Sequence, residues 1–301
     1  MADNRHAETN TPRPAPLHWL ADIVPNLLAD ADAAHEARET GQPRGPCTGI
    51  APLDEALSGF FEAGLHTIQA NTGAGKTALA LQIASDCQFP CLYVSAEMPM
   101  LELFRRLIAR QTSTFLGKLK TGELSSEDIK KLALATAGKL PHIALMDAMA
   151  GIASLDLIGE TATKLKARFK AKTVLVAIDS LHVWARSLMR GQGNEFEIVS
   201  EGTARATELA SILDAPIIAL CHRNRESNKR VDGAGLHAAK GSGDIEYESW
   251  SVLDLHRDME KRENANGEVP VIMRFYKNRS NGITPPVETM FSGRLQSFRG
   301  L

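Results

Sequence analysis

The sequence is poor in aromatic residues, in cysteine and in net charge. Phe, Tyr and Trp make up 5% of its 301 residues, so stacked rings are not expected to dominate any nucleic-acid contact. The net charge of −2 excludes a generally basic surface, and such contact has to come from local clusters. Four cysteines are present, Cys47, Cys87, Cys91 and Cys221. Only Cys87 and Cys91 lie close together, and no second pair has metal-ligand spacing, so buried thiols in a reducing compartment are expected. No internal repeat is visible. No signal peptide and no membrane-length apolar run occur, which points to a cytoplasmic protein without a membrane partner. What remains is a chain of ordinary hydrophobicity, long enough for one large domain or two small ones.

Against that background the stretch IQANTGAGKTALALQIA, residues 68–84, stands out. An apolar run enters a glycine-rich turn and then a helical pattern, with Gly75-Lys76-Thr77 at the junction. A helix N-terminus offers free N–H groups and partial positive charge, so a cation placed there implies an anion between them. Ala70, Asn71, Thr72, Gly73, Ala74, Gly75, Lys76, Thr77 and Ala78 form the candidate phosphate cradle. Lys76 is placed for the β- and γ-oxygens of a nucleotide and the Thr77 hydroxyl for Mg²⁺. Ala70 stands where the general pattern has its first glycine.

Residues 1–16 are polar and Pro-rich and read as a flexible arm. Trp19, Leu20, Ile23, Val24, Leu27, Leu28 and Ala31 then recur at helical spacing, which predicts an amphipathic helix from Trp19 to Ala34, kinked or restarted at Pro25. GQPRGP at 41–46 reads as a linker. The expected division is therefore 1–45, arm and linker helix, and 46–301, a catalytic-type α/β domain. From Thr48 onward short apolar runs alternate with helical patterns, the mark of a mainly parallel, twisted sheet flanked by helices. Strands are predicted at 65–70, 91–95, 142–145, 174–178, 217–221, 252–256 and 271–276. Ser125 reads as the cap of a helix running to about Ala137.

Ligands of such sheets bind beyond the carboxyl ends of the strands. Those ends carry the phosphate loop, Glu97, Asp179, His222, and the pair Lys277 and Arg279. Asp179 suits a Mg²⁺-associated carboxylate, and Glu97 suits a base for the attacking water or an acid at the entry of the helix that follows Pro99. His222 suits a γ-phosphate sensor, or is a solvated loop histidine. Lys277 and Arg279 are either cations for a transferring phosphoryl group, supplied to a neighbouring subunit if they cannot reach their own loop, or the solvated tip of a hairpin.

Residues 222–243 carry Arg223, Arg225, Lys229, Arg230 and Lys240 against Glu226 and Asp232, a net +3 in an acidic chain. With backbone N–H groups at Gly241 and Gly243 this segment suits a single-stranded DNA backbone, and equally a solvated loop. Arg186 and Arg190 suggest a second such loop.

Read in order, TGIAPLDEAL, ANTGAGKT, SAEMP, TGELSSEDIKKL, AIDSL, APIIALCHRNR, GSGDIE and YKNRSNG make the chain from Thr48 to Phe298 resemble the C-terminal ATPase domain of DnaB-type replicative helicases. That family also carries alanine at the position of Ala70. The resemblance implies a RecA-like P-loop fold and a hexameric ring with ATP and Mg²⁺ between subunits. It implies Lys76 and Thr77 on phosphate and metal, Asp179 on metal, and Glu97 as base. Lys277 and Arg279 would reach the adjacent subunit's nucleotide, and the helix at Trp19–Ala34 would be the ring's linker helix. The expected function is an ATP-dependent helicase or translocase on single-stranded DNA in replication, with a loader or replication initiator as a further partner. The alternatives are a RecA- or KaiC-like regulatory or recombination-mediator ATPase that binds DNA without unwinding it, and a nucleotide-binding scaffold. Three departures from the family stand out. Its N-terminal collar domain is not in this sequence. His222 replaces the usual sensor glutamine. Lys240-Gly241-Ser242-Gly243 replaces an Arg-Glu-Ser-Gly pattern.

Overall fold

The computed structural model describes residues 17–223, 242–258 and 262–300. The chain divides into two units, 1–44 and 45–301. In the first, helix α1 spans Leu20–Thr40 and ends on Gly41, whose φ of 69° is left-handed. It extends past the predicted end at Ala34 and runs unbroken through Pro25. Proline there forfeits one early hydrogen bond, and the following turns still propagate. The polar run after Ala34 stays helical with local support, His35 Nε2 lying 3.4 Å from Glu39 one turn on and the Thr40 hydroxyl donating to the Glu36 carbonyl at 2.8 Å.

The second unit holds a nine-stranded sheet in the order β3-β2-β4-β5-β1-β6-β7-β8-β9. Its strands are β1 (Gly64–Ala70), β2 (Cys91–Ser95), β3 (Ile143–Asp147), β4 (Leu175–Asp179), β5 (Pro216–His222), β6 (Ser251–Arg257), β7 (Glu268–Asn278), β8 (Val287–Ser292) and β9 (Ser297–Gly300). The first six are parallel, and β7 to β9 are antiparallel. All seven predicted strands are present, while β8 and β9 were not anticipated.

LYV, LVAI and IIAL are continuous apolar runs because helices cover both faces of the parallel part. Helices α3 (Lys76–Asp86) and α4 (Met100–Thr112) bury Ile68, Ala70, Tyr93 and Ala177 on one face. Helices α6 (Leu155–Arg168), α7 (Leu181–Leu188) and α8 (Glu195–Leu213) bury Leu65, Val94, Ile178 and Ala219 on the other. Helix α5 (Ser126–Lys139) starts as predicted, the Ser125 hydroxyl accepting from the Asp128 N–H. Helices α2 (Ala51–Ala56) and α9 (Ser242–Glu248) complete the unit's α-helices among the described residues. The four thiols are free and buried, as expected, and burial pushes Cys87 and Cys221 up to about 12. No described helix is long and apolar enough to cross a membrane.

One buried polar link in β1 sets a pH dependence. His66 Nε2 lies 2.8 Å from the Glu62 carbonyl, and Nδ1 lies 2.8 Å from the Ser251 hydroxyl. The carbonyl only accepts, so Nε2 carries the proton and Nδ1 accepts from serine. Burial lowers the ring to about 4 from an ordinary 6.5. Because the folded value is the lower one, the unfolded chain takes up the proton first. His66 therefore contributes its full stability above pH 6.5 and loses it as pH falls toward 4, about 3 kcal/mol in all. Urea unfolding at pH 7.5 and pH 5 measures this, and His66→Gln should flatten that part of the slope. An unchanged slope in the variant would assign it to other groups.

Candidate functional site

At the carboxyl end of β1 the chain turns through Asn71–Gly75 into α3. Gly73 and Gly75 have φ of 82° and 99°, which side chains resist. Gly75 is fixed twice over. A Cβ there would lie 2.8 Å from Phe298 and 3.3 Å from Phe291. Those rings stack at 4.5 Å under the loop, and Gln82 of α3 holds β9 through both backbone groups of Phe298, at 3.0 and 2.7 Å. The unanticipated hairpin of β8 and β9 is thus the floor of the loop.

Lys76 opens α3 and is buried, its Nζ donating to the Ala70 carbonyl at 2.9 Å. The Thr77 hydroxyl donates to Asp179 Oδ2 at 2.8 Å, and the Tyr93 hydroxyl donates to the same oxygen at 2.8 Å. Parallel pairing of β2 with β4 sets Ser95 beside Asp179, so Glu97 falls next to Ser180. The Ser95 hydroxyl donates to the Met98 carbonyl at 2.7 Å and accepts from the Met98 N–H at 3.2 Å, which bends SAEMP around it. Glu97 Oε1 accepts from the Ser180 hydroxyl and from His222 Nε2, the latter at 3.2 Å. The His222 hydrogen bond, ahead of a second from Ser180, holds the Glu97 carboxyl below its usual range despite burial. Burial acts the other way on its neighbours, pushing Asp179 up and the Lys76 amine down.

A cavity of about 590 Å³ opens here, lined among others by Asn71, Thr72, Glu97, His222 and Arg223. The donor set fits a Mg²⁺–nucleotide. Thr77 and Asp179 offer oxygens, as a hard cation requires. A phosphate beside Lys76 and a cation beside Asp179 would relieve both burial penalties.

Four of the five predicted strand ends meet at this place. The fifth does not. Strand β7 is antiparallel, so its carboxyl end lies at the opposite end of the sheet. Lys277 pairs with Val252, and the Arg279 N–H donates to Trp250, level with Leu65 at the start of β1. At ~3.3 Å per residue and ~4.8 Å per strand, Arg279 stands roughly 20 Å from its own phosphate loop. Lys277 Nζ donates to the carbonyls of Glu246 and Tyr247, and Arg279 to Tyr247, at the C-terminus of α9. Apolar periodicity carries no strand direction, so the sequence leaves open whether Lys277 and Arg279 reach their own loop, and the antiparallel pairing shows that they do not.

Of the basic candidates, Arg186 and Arg223 line this cavity. Arg186 lies within α7, not on a loop, and pairs with Glu195 at 3.2 Å, while Arg190 occupies the turn after α7 with φ of 53°. Gly243 lies in α9. Arg223 forms part of the cavity wall and pairs with Asp254 instead of standing in a solvated loop. Arg225, Lys229, Arg230, Lys240 and Gly241 lie outside the described residues. Tyr93, Ser180, Asp254 and Arg257, whose Nη1 donates to the Gly73 carbonyl at 3.0 Å, were not anticipated. Ser180 adjoins Asp179 in the sequence, whereas Tyr93, Asp254 and Arg257 lie inside strands, where a polar side chain carries no positional signal.

The model of the DnaB-like helicase C-terminal domain matches residues 45–300. The chain is 28% identical over 260 residues to the replicative DNA helicase DnaB of Treponema pallidum (strain Nichols), covering 85% of this chain and 57% of that protein. It is 29% identical over 290 residues to its counterpart in Leifsonia xyli subsp. xyli, covering 93% and 62%. The chain therefore spans about three fifths of the length of these relatives. A solved DnaB-like replicative helicase superposes with a TM-score of 0.74 at 23% identity, over 95% of this chain and 68% of that one.

Proposed function

This chain belongs to the DnaB-like helicase C-terminal domain family, and from that premise we infer that it hydrolyses ATP to move along single-stranded DNA as one subunit of a hexameric ring. The observation that carries this reading is the split of the catalytic set. Lys76, Thr77, Asp179 and Glu97 lie at one end of the sheet, and Lys277 and Arg279 at the other. Subunits placed end to end around a ring bring the two halves together, and neither half is complete alone.

The N–H groups at the start of α3 and the Lys76 amine receive the β- and γ-phosphates. Thr77 and Asp179 would hold Mg²⁺, which would offset the negative charge of the phosphates. Tyr93 fixes the Asp179 carboxylate by a hydrogen bond. Glu97 takes a proton from the attacking water. Ser180 and His222 orient it, and the His222 hydrogen bond keeps it ionised at neutral pH. His222 is also placed to register the γ-phosphate. The neighbouring subunit's cations then face the charge that develops in the transition state. Arg186, Arg190 and the segment 224–243 supply the contacts to the DNA backbone, with a loader or replication initiator as further partner.

The experiment is strand displacement from a forked duplex with ATP, with Lys76→Ala beside it. Displacement by the wild type and none by the variant is the expected result. Hydrolysis stimulated by DNA without displacement at either polarity would select the regulatory or recombination-mediator reading. Absence of nucleotide-dependent DNA binding would remove both.

A further inference from the structure

Asp254 sits within β6 at 1% exposure, beside Gln69 of β1. A carboxylate in that position is costly unless it is paired. Its partner is Arg223, with Nε 3.7 Å from Oδ1. Arg223 is the first residue after β5, and its N–H donates to the Ala70 carbonyl at 3.2 Å. That is the carbonyl to which Lys76 Nζ also donates. Two cationic residues therefore share one backbone acceptor at the root of the phosphate loop, and the arginine faces the cavity that Asn71, Thr72, Glu97 and His222 line.

The pair is poorly built for stability. At 3.7 Å it lies within Coulomb range but beyond hydrogen-bond length. Among the described residues, Arg223 Nε and Asp254 Oδ1 are buried without a well-formed hydrogen bond, and the Gln69 amide is the neighbour close enough to act on the carboxyl. A buried ion pair with unfilled hydrogen bonds is commonly no better than two apolar side chains. What such a pair does supply is a cation held in one place with donors to spare, and a planar guanidinium matches the oxygens of a phosphate at two points. The position also has to be enforced. Glu97 stands in the same wall, and an arginine without a restraint would pair with the catalytic base.

The geometry points to Arg223 as a same-chain contact for the terminal phosphate of the bound nucleotide, with Asp254 as the residue that positions it. This rests on the reading of the cavity as an ATP site. It adds a cation from within the chain to Lys76, distinct from those the neighbouring subunit lends. Burial pushes the Asp254 carboxyl up, and Arg223, ahead of His256 and Arg274, opposes that shift.

Titration of the full chain with fluorescent ADP and with a fluorescent non-hydrolysable ATP analogue tests the assignment. Arg223→Gln should weaken the triphosphate roughly tenfold or more, the range of a hydrogen bond to a charged group, and shift ADP by less than about twofold. Arg223→Lys should recover part of the preference, and Asp254→Asn should lose part of it. Should Arg223→Gln fold badly, the double replacement of Arg223→Met with Asp254→Leu removes both charges together and is expected to show the same selective loss. Equal weakening of both nucleotides, or an unchanged preference in the double variant, would reduce the pair to a structural role and overturn the proposal alone. A wild type that binds neither nucleotide would overturn the ATP-site reading with it.

Discussion

Arg279→Ala is expected to lower ATP hydrolysis by ~10³-fold or more, the size of effect seen when an arginine is withdrawn from a transferring phosphoryl group. The residue stands at the far end of the sheet from its own loop, so a local reading of the structure would predict no effect at all. Antiparallel pairing of β7 with β6 puts it there, and the Tyr247 carbonyl and the Trp250 ring, 5.8 Å from the guanidinium, hold it. The loss should be repairable by another subunit. Arg279→Ala retains Lys76, and Lys76→Ala retains Arg279, so about a quarter of the interfaces in a random equal mixture recover both halves. Phosphate release from such mixtures, compared with each variant alone, is the measurement. Activity that stays at the level of the separate variants, in mixtures shown by light scattering to co-assemble, would mean that each chain completes its own site.

Glu97→Gln should lower turnover by roughly 10²- to 10⁴-fold while leaving ATP affinity near that of the wild type, because general base catalysis is lost without any change in the phosphate cradle. The amide is nearly the shape of the carboxylate and still accepts at its carbonyl oxygen, so the hydrogen bonds from Ser180 and His222 can persist. Single-turnover hydrolysis with separate measurement of ATP binding distinguishes the two effects. Wild-type turnover in this variant would place the base elsewhere, and a matching loss of affinity would make Glu97 a binding residue.

The parallel half of the fold was legible because strands buried on both faces are written as unbroken apolar runs. Strands β8 and β9 were not, since VETMFS buries alternate residues and SFRG is only four residues long. The end of α1 was misplaced because EARET has helix-forming residues but no apolar repeat. At the site, Lys76, Thr77, Glu97, Asp179 and His222 could be named because each lies just beyond an apolar run. Their supports were hidden for different reasons. Tyr93 and Asp254 lie inside strands and act through partners 86 and 31 residues away in sequence, Asp179 and Arg223 respectively. Strand direction leaves no trace in hydropathy, and it is direction that carries Lys277 and Arg279 away from the loop.

The stacked rings of Phe291 and Phe298 beneath Gly75 also impose an order on biosynthesis. Residues 68–84 leave the ribosome more than two hundred positions before the strand that underlies them. During that interval the glycine turn lacks its support, and α3 lacks the edge strand that Gln82 grips. A nascent chain that stops short of β9 therefore carries the whole loop sequence without its floor. The turn gains that support only once β9 has been made.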